Sequence, residues 1–103
     1  MSDILIKIKR AILAGRYEFS EKARIEMESD GLIESDVLES IVNAVAIYKT
    51  IRSTSLLRQH RREYLHIIQS TNLMGQPIYS KGKFVAEGDV ETYYFMISAK
   101  RAE

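Results

Sequence analysis

The stretch QPIYSKGKFVAEGDVETYYFMISAK, residues 76–100, decides how this chain folds. Two runs rich in Ile, Tyr, Val, Phe and Thr flank Glu87-Gly88-Asp89, whose residue types suit a tight hairpin turn, so the runs are expected to pair antiparallel. Two segments of the same texture precede them, AIYKTIRS (46–53) and REYLHIIQS (62–70), so the second half reads as four strands. The first half reads as three helices. Asp3 is placed to cap a helix in which Ile4, Leu5, Ile8, Ile12 and Leu13 recur near helical spacing, with Gly15 ending it. Ser20 is the expected cap of a second helix through Ala23 and Met27, stopped at Gly31. Ser35 is the expected cap of a third through Val37, Leu38, Ile41, Val42 and Val45. Helices segregated from a run of strands predict an α+β fold, with three N-terminal helices packed on a mainly antiparallel four-stranded sheet whose other face is left for a ligand.

The 103 residues suffice for one domain spanning 1–103 and leave no room for a second. Neither disorder nor a membrane class follows from 46% hydrophobic and 28% charged residues, and no stretch approaches the length of a membrane span. The absence of cysteine removes disulfides, thiolate catalysis and cysteine-zinc sites. The start, MSDILIKIKRAILAG, breaks its apolar residues with Lys7, Lys9 and Arg10 and so lacks the apolar core of a secretory signal. A cytoplasmic location with no membrane partner is the expectation.

Charge is sorted along the chain although its net value is only +1. Between Lys49 and Lys83 there are seven Lys or Arg residues against one acid, Glu63, whereas residues 18–39 carry eight acids against Lys22 and Arg24. The acidic segment reads as a solvated helical surface or as a receiver for a basic partner. On the third expected strand Tyr79, Lys81 and Lys83 project together by period-two alternation, with Ile78, Ser80 and Phe84 opposite. On the fourth, Tyr93, Phe95, Ile97 and Ala99 form the more apolar face and Tyr94, Met96, Ser98 and Lys100 the other. Packing the apolar faces on the helices would leave Tyr79, Lys81, Lys83, Tyr94 and Lys100 on the open side. Such a surface suits RNA, because lysines neutralise phosphates and tyrosines stack on unpaired bases, although strands also carry such residues merely for solubility.

Other candidates are weaker. Arg58, His60, Arg61 and Arg62 in the loop STSLLRQHRR could contact phosphate or simply be solvated. His60 and His66 have no cysteine or carboxylate pair at ligand spacing, so no metal and no other cofactor is expected. His66 lies in an apolar strand, where a sheet-face role and a proton-transfer role both fit. No phosphate-binding glycine loop, GxSxG or HExxH occurs.

The elements IYKTIRS (47–53), GQPIYSKGK (75–83) and ISAKRAE (97–103), in this order after a helical first half, resemble the MqsR branch of the RelE-like toxins. The segment FSEKARIEMESDGLIESDV (19–37) is similar to small uncharacterised domains grouped as DUF4258. The resemblance covers most of the chain and implies a small α+β protein that cuts messenger RNA without a metal. In that family a lysine after a tyrosine on an early strand, a glutamine on the next, a tyrosine on the following strand and a lysine near the C terminus form the site. Transferred by residue, these positions imply Lys49, Tyr79 and Lys100, with the glutamine position falling near His66. Arg52, Lys81, Lys83 and Tyr94 are then the implied substrate contacts.

The resulting expectation is a metal-independent endoribonuclease of a type II toxin-antitoxin pair, with single-stranded RNA and a cognate antitoxin as partners. The alternative is a non-catalytic RNA-binding or protein-interaction module on the same fold, motivated by the departure at the glutamine position.

Overall fold

The computed structural model describes residues 2–52, 63–88 and 90–102. Three helices, α1 (Asp3–Leu13), α2 (Glu21–Ser29) and α3 (Glu34–Val42), accompany five strands, β1 (Tyr17–Phe19), β2 (Lys49–Arg52), β3 (Tyr64–Thr71), β4 (Pro77–Glu87) and β5 (Val90–Arg101). The α+β class and the three helices therefore agree with the sequence reading. The sheet differs, having five strands in the order β1-β5-β4-β3-β2. β1 runs parallel to β5 and every other pairing is antiparallel. The loop residues Arg58, His60, Arg61 and Arg62, and Asp89 of the hairpin turn, lie outside the described residues.

Each helix begins where a backbone N–H finds a side-chain acceptor. Ser2, rather than Asp3, caps α1 by accepting from Leu5 N at 3.1 Å, and Ser20 caps α2 by accepting from Ala23 N at 3.0 Å. Ile33 occupies the cap position of α3. Asp36, one turn into that helix, reaches back to accept from Ile33 N at 2.9 Å, so the hydroxyl of Ser35 is not the capping group. Gly31 adopts φ 70°, a conformation that costs other residues about 1 kcal/mol or more, and so turns the chain cheaply between α2 and α3.

The core lies between the helices and one face of the sheet. Leu5, Ile8 and Ile12 of α1, Ala23 and Met27 of α2, and Val37 and Ile41 of α3 pack with Ile68, Ile78, Tyr94, Met96 and Ala99. The spacing of the α1 residues places them on one stripe, which explains why Ile4 and Leu13 of the same helix remain exposed.

β1 is the element that sequence reading missed. Its three residues pair with Tyr94, Phe95 and Met96, held at the ends by Tyr94 N donating to Arg16 O (3.0 Å) and Ser20 N donating to Met96 O (2.9 Å). A strand this short is below the length at which alternation is a signal.

The decisive irregularity is a bulge in β5. Lys81 pairs with Ser98, but the next residue, Gly82, pairs with Met96, so Ile97 and Ser98 together oppose Lys81. Glu26 of α2 holds this point, its Oε1 accepting from Ser98 Oγ (2.7 Å) and Ala99 N (3.3 Å), while Ser20 Oγ donates to Ile97 O (2.9 Å). The extra residue reverses side-chain parity. Tyr94 and Met96 before the bulge, and Ala99 after it, all face the helices, whereas Lys100 faces away.

Candidate functional site

The face of the sheet opposite the helices is assembled by register. Gln69 pairs with Tyr79, and Tyr79 pairs with Lys100, so these three form one row across β3, β4 and β5. Directly paired residues on one face have Cβ atoms about 5 Å apart, which brings the three side chains into mutual reach. Lys100 Nζ stands 5.3 Å from the centroid of the Tyr79 ring, a cation-π arrangement that holds the ammonium beside the phenol. Gln69 and Lys100 are exposed and Tyr79 is half-buried.

A second row adjoins the first. Lys49 pairs with Ile67 and Ile67 with Lys81, two residues along from Gln69 and Tyr79 on the same face. Lys49 Cα therefore lies about 12 Å from Tyr79 Cα, from two strand spacings and two residue rises, a gap that flexible lysine side chains narrow. Farther along the sheet Lys83 pairs with Phe95 and Val85 with Tyr93. Lys83 Nζ bonds Glu63 Oε1 at 3.0 Å, and both side chains are largely covered, at 14% and 18% exposure.

Of the residues expected from sequence, Lys49, Tyr79, Lys81, Lys83 and Lys100 share this face. Three do not. Tyr94 is fully buried beneath the helices because the bulge reverses parity between it and Lys100. Its ring lies over Gly82, packs edge-on against Phe84 at 5.3 Å, and its hydroxyl has no hydrogen-bond partner among the described residues. Burial pushes the Tyr94 phenol far above its ordinary pKa, so it takes no part in proton transfer near neutrality.

His66 is the second correction. It pairs with Thr50 and Gly82, residues of the helix-side face, and is buried with Nδ1 3.3 Å from Thr50 Oγ1 and its ring 6.3 Å from that of Phe84. Alternation along β3 sends Leu65, Ile67 and Gln69 to the open face and His66 and Ile68 to the core side. Gln69, absent from the sequence-derived site, is the β3 residue that stands beside Tyr79 on the open face. No local signal in the sequence marks it, because the pairing of Lys49 with Ile67 is what fixes which β3 residues accompany the lysine. Arg52 is the third correction: it pairs with Tyr64, one residue on from the open-face pair Ile51 and Leu65, and so lies on the opposite side from Lys49.

Among the described residues no group of three His, Cys, Asp or Glu side chains is positioned to hold a metal ion. Likewise no helix there is long and apolar enough to cross a membrane.

These features define an α+β protein whose mixed sheet is covered by helices on one face and carries a Lys, Gln and Tyr constellation on the other. No family model, no curated protein and no solved structure matches the chain.

Proposed function

We propose that this protein is a metal-independent endoribonuclease of the RelE-like toxin type, acting on single-stranded RNA and neutralised by a separately encoded antitoxin. The observation that carries the reading is the row Gln69, Tyr79 and Lys100 with Lys49 on the same face, opposite the helices. That set matches in residue type the lysine, glutamine, tyrosine and C-terminal lysine which the resemblance implies, with Gln69 of β3 as the glutamine in this reading.

The residue types suit the chemistry. In the cleavage, the ribose 2′-hydroxyl attacks the adjacent phosphorus as its proton leaves, and the bond to the 5′-oxygen breaks with that oxygen taking a proton. Lys49 and Lys100 stabilise the charge on the phosphoryl oxygens, Tyr79 stands where it can pass a proton, and Gln69 holds the ribose or phosphate by hydrogen bonds. RNA fragments ending in a 2′,3′-cyclic phosphate are the expected product.

The test is cleavage of a labelled single-stranded RNA in EDTA. Lys100→Ala and Tyr79→Phe each reduce the single-turnover rate by about 10²-fold or more, in the range found when a preorganised transition-state donor is removed. Wild-type protein that leaves the RNA intact, or variants that cut at the wild-type rate, would overturn the reading.

A non-catalytic RNA-binding module is the second reading, favoured by the burial of His66, which takes the one described imidazole away from the row. It predicts salt-sensitive RNA binding without turnover, the slope reporting the number of phosphates neutralised.

A further inference from the structure

We infer that the outer edge of β2, with the cleft at its start, is a docking site for an acidic extended segment of a partner protein, taken up as a further strand of the sheet. The surface shares only Lys49 with the proposed RNA site, and the inference stands without the proposed cleavage. β2 ends the order β1-β5-β4-β3-β2, and all four of its residues are exposed. A terminal strand offers backbone N–H and C=O groups along its outer side to an incoming strand. The chain leading into β2 is held in place: Lys9 Nζ donates to Ala44 O at 2.5 Å, Ile47 packs against the core, and Tyr48 N donates to Ile67 O at 2.8 Å. Beside it lies an open cleft of about 550 Å³, whose lining includes Ile4 of α1, Val45, Tyr48 and Thr50. Ile4, Val45 and Tyr48 are 43%, 84% and 67% exposed, so an apolar side chain of the incoming segment and these three residues would leave water together.

Charge selects the occupant. Residues 43–52 carry Lys49 and Arg52 and no acid. Being three residues apart on one strand, the two cations stand on opposite faces of the sheet. A second copy of this chain, pairing β2 with β2 antiparallel about its centre, would set Lys49 across from Arg52 at both ends, and like charges directly opposite are destabilising. Glu or Asp at the two facing positions instead gives a cross-strand ion pair on each face. Antiparallel pairing needs no crossover and is the slightly more stable arrangement, so the segment reads acid, apolar, β-branched, acid from its N-terminal end, with the acids facing Arg52 and Lys49. Beyond the second acid it passes the cleft. Asp3 adjoins the cleft residues Ser2 and Ile4 in the chain, so an apolar residue is favoured there over a third acid.

The experiment selects random dodecapeptides displayed on phage against the immobilised full-length protein, then titrates the most enriched peptide, made synthetically, into the ¹⁵N-labelled chain. Enriched sequences are expected to share the two acids three residues apart and a later apolar residue. Amide shifts on titration are expected to concentrate at Tyr48 to Arg52. This arm needs only the wild-type chain and so stands even if a variant misfolds. Lys49→Glu combined with Arg52→Glu removes both cross-strand pairs and puts like charges in their place, which should weaken the peptide at least about tenfold. Val45→Asp, at a position 84% exposed where folding is not at stake, should weaken it as well by placing a carboxylate at the cleft. No enrichment, enriched peptides that are neutral or basic, or affinity indifferent to these substitutions would overturn the inference. So would shifts confined to Gln69, Tyr79 and Lys100, which would mark the peptide as a mere polyanion on the open face. A chain that sediments as a dimer with its β2 amides already protected from exchange would put a second copy on the edge and overturn it too. RNA cleavage enters none of these readouts, so the proposed function stands or falls separately.

Discussion

Gly82→Ala tests whether Tyr94 lies under the helices or on the open face. A Cβ at position 82 would fall 2.6 Å from both Cε2 and Cζ of Tyr94 and 2.7 Å from its hydroxyl oxygen. Carbon atoms in good contact sit about 3.5 Å or more apart, so ring or strand must move by roughly 0.9 Å. The ring has little freedom, being fully buried with Phe84 edge-on against it at 5.3 Å. Overpacking of this kind costs roughly 1–3 kcal/mol. The opposite sign would follow if the space were open, because Gly82 has no left-handed φ and alanine there would gain about 0.4–1 kcal/mol from a restricted unfolded chain. Urea and thermal denaturation should therefore show a loss, which for a domain this size is a fall in Tm of about 4–8 °C per kcal/mol. A double-mutant cycle with Tyr94→Leu, which lacks the three clashing atoms, should recover at least about 1 kcal/mol of the Gly82→Ala cost. Unchanged or raised stability in Gly82→Ala, or strict additivity in the cycle, would refute the placement of Tyr94 and with it the bulge-driven reversal of β5.

Tyr94→Phe removes a buried hydroxyl that has no partner among the described residues, so stability at pH 7 should hold or rise by up to about 1 kcal/mol. Because burial raises the folded-state pKa of this phenol, the unfolded chain loses its proton first. Above about pH 10 the wild type should therefore lose roughly 1.4 kcal/mol per pH unit more than Tyr94→Phe, while below pH 10 the two run parallel. Equal slopes for the two proteins in urea titrations from pH 8 to 11 would contradict this. Asn72, almost fully buried, accepts from Met74 N (3.0 Å) and Gln76 N (2.8 Å) and donates to Asp36 Oδ1 (3.1 Å), so Asn72→Ala should cost about 1–3 kcal/mol by urea denaturation. Glu26→Ala frees Ser98 and Ala99 at the bulge. A drop in Tm together with slower RNA cleavage is expected, since the bulge decides which way Lys100 faces; cleavage at the wild-type rate would separate Lys100 from the proposed chemistry.

Local patterns carried most of the secondary structure. Ser20 and Gly31 bracket α2 because a hydroxyl cap and a left-handed φ are properties of single residues, legible wherever they occur. The alternation in β4 was equally readable, and Tyr79, Lys81 and Lys83 do share the face opposite Ile78 and Ser80. Register was not readable. The place of Gln69 rather than His66 on the open face, and the loss of Arg52 from the site, follow from which β3 residue stands opposite Lys49. That is a relation between segments, and one residue of slip inverts every side chain in it. Lys83 was readable as a cation on the right face, but its engagement by Glu63 required knowing where the start of β3 meets the middle of β4.

The sequence by itself therefore determined the α+β class, the three helices, the four longer strands and the concentration of lysine on one strand face, because caps, turns and hydrophobic periods act over a few residues. Only the tertiary structure decided the fifth strand, the direction of Tyr94 and the row of Gln69, Tyr79 and Lys100. The physical reason is concentrated at the β5 bulge. A carboxylate on α2, 72 residues away in the chain, satisfies the groups that the extra residue unpairs, and that one long-range contact sets the parity on which the open face depends.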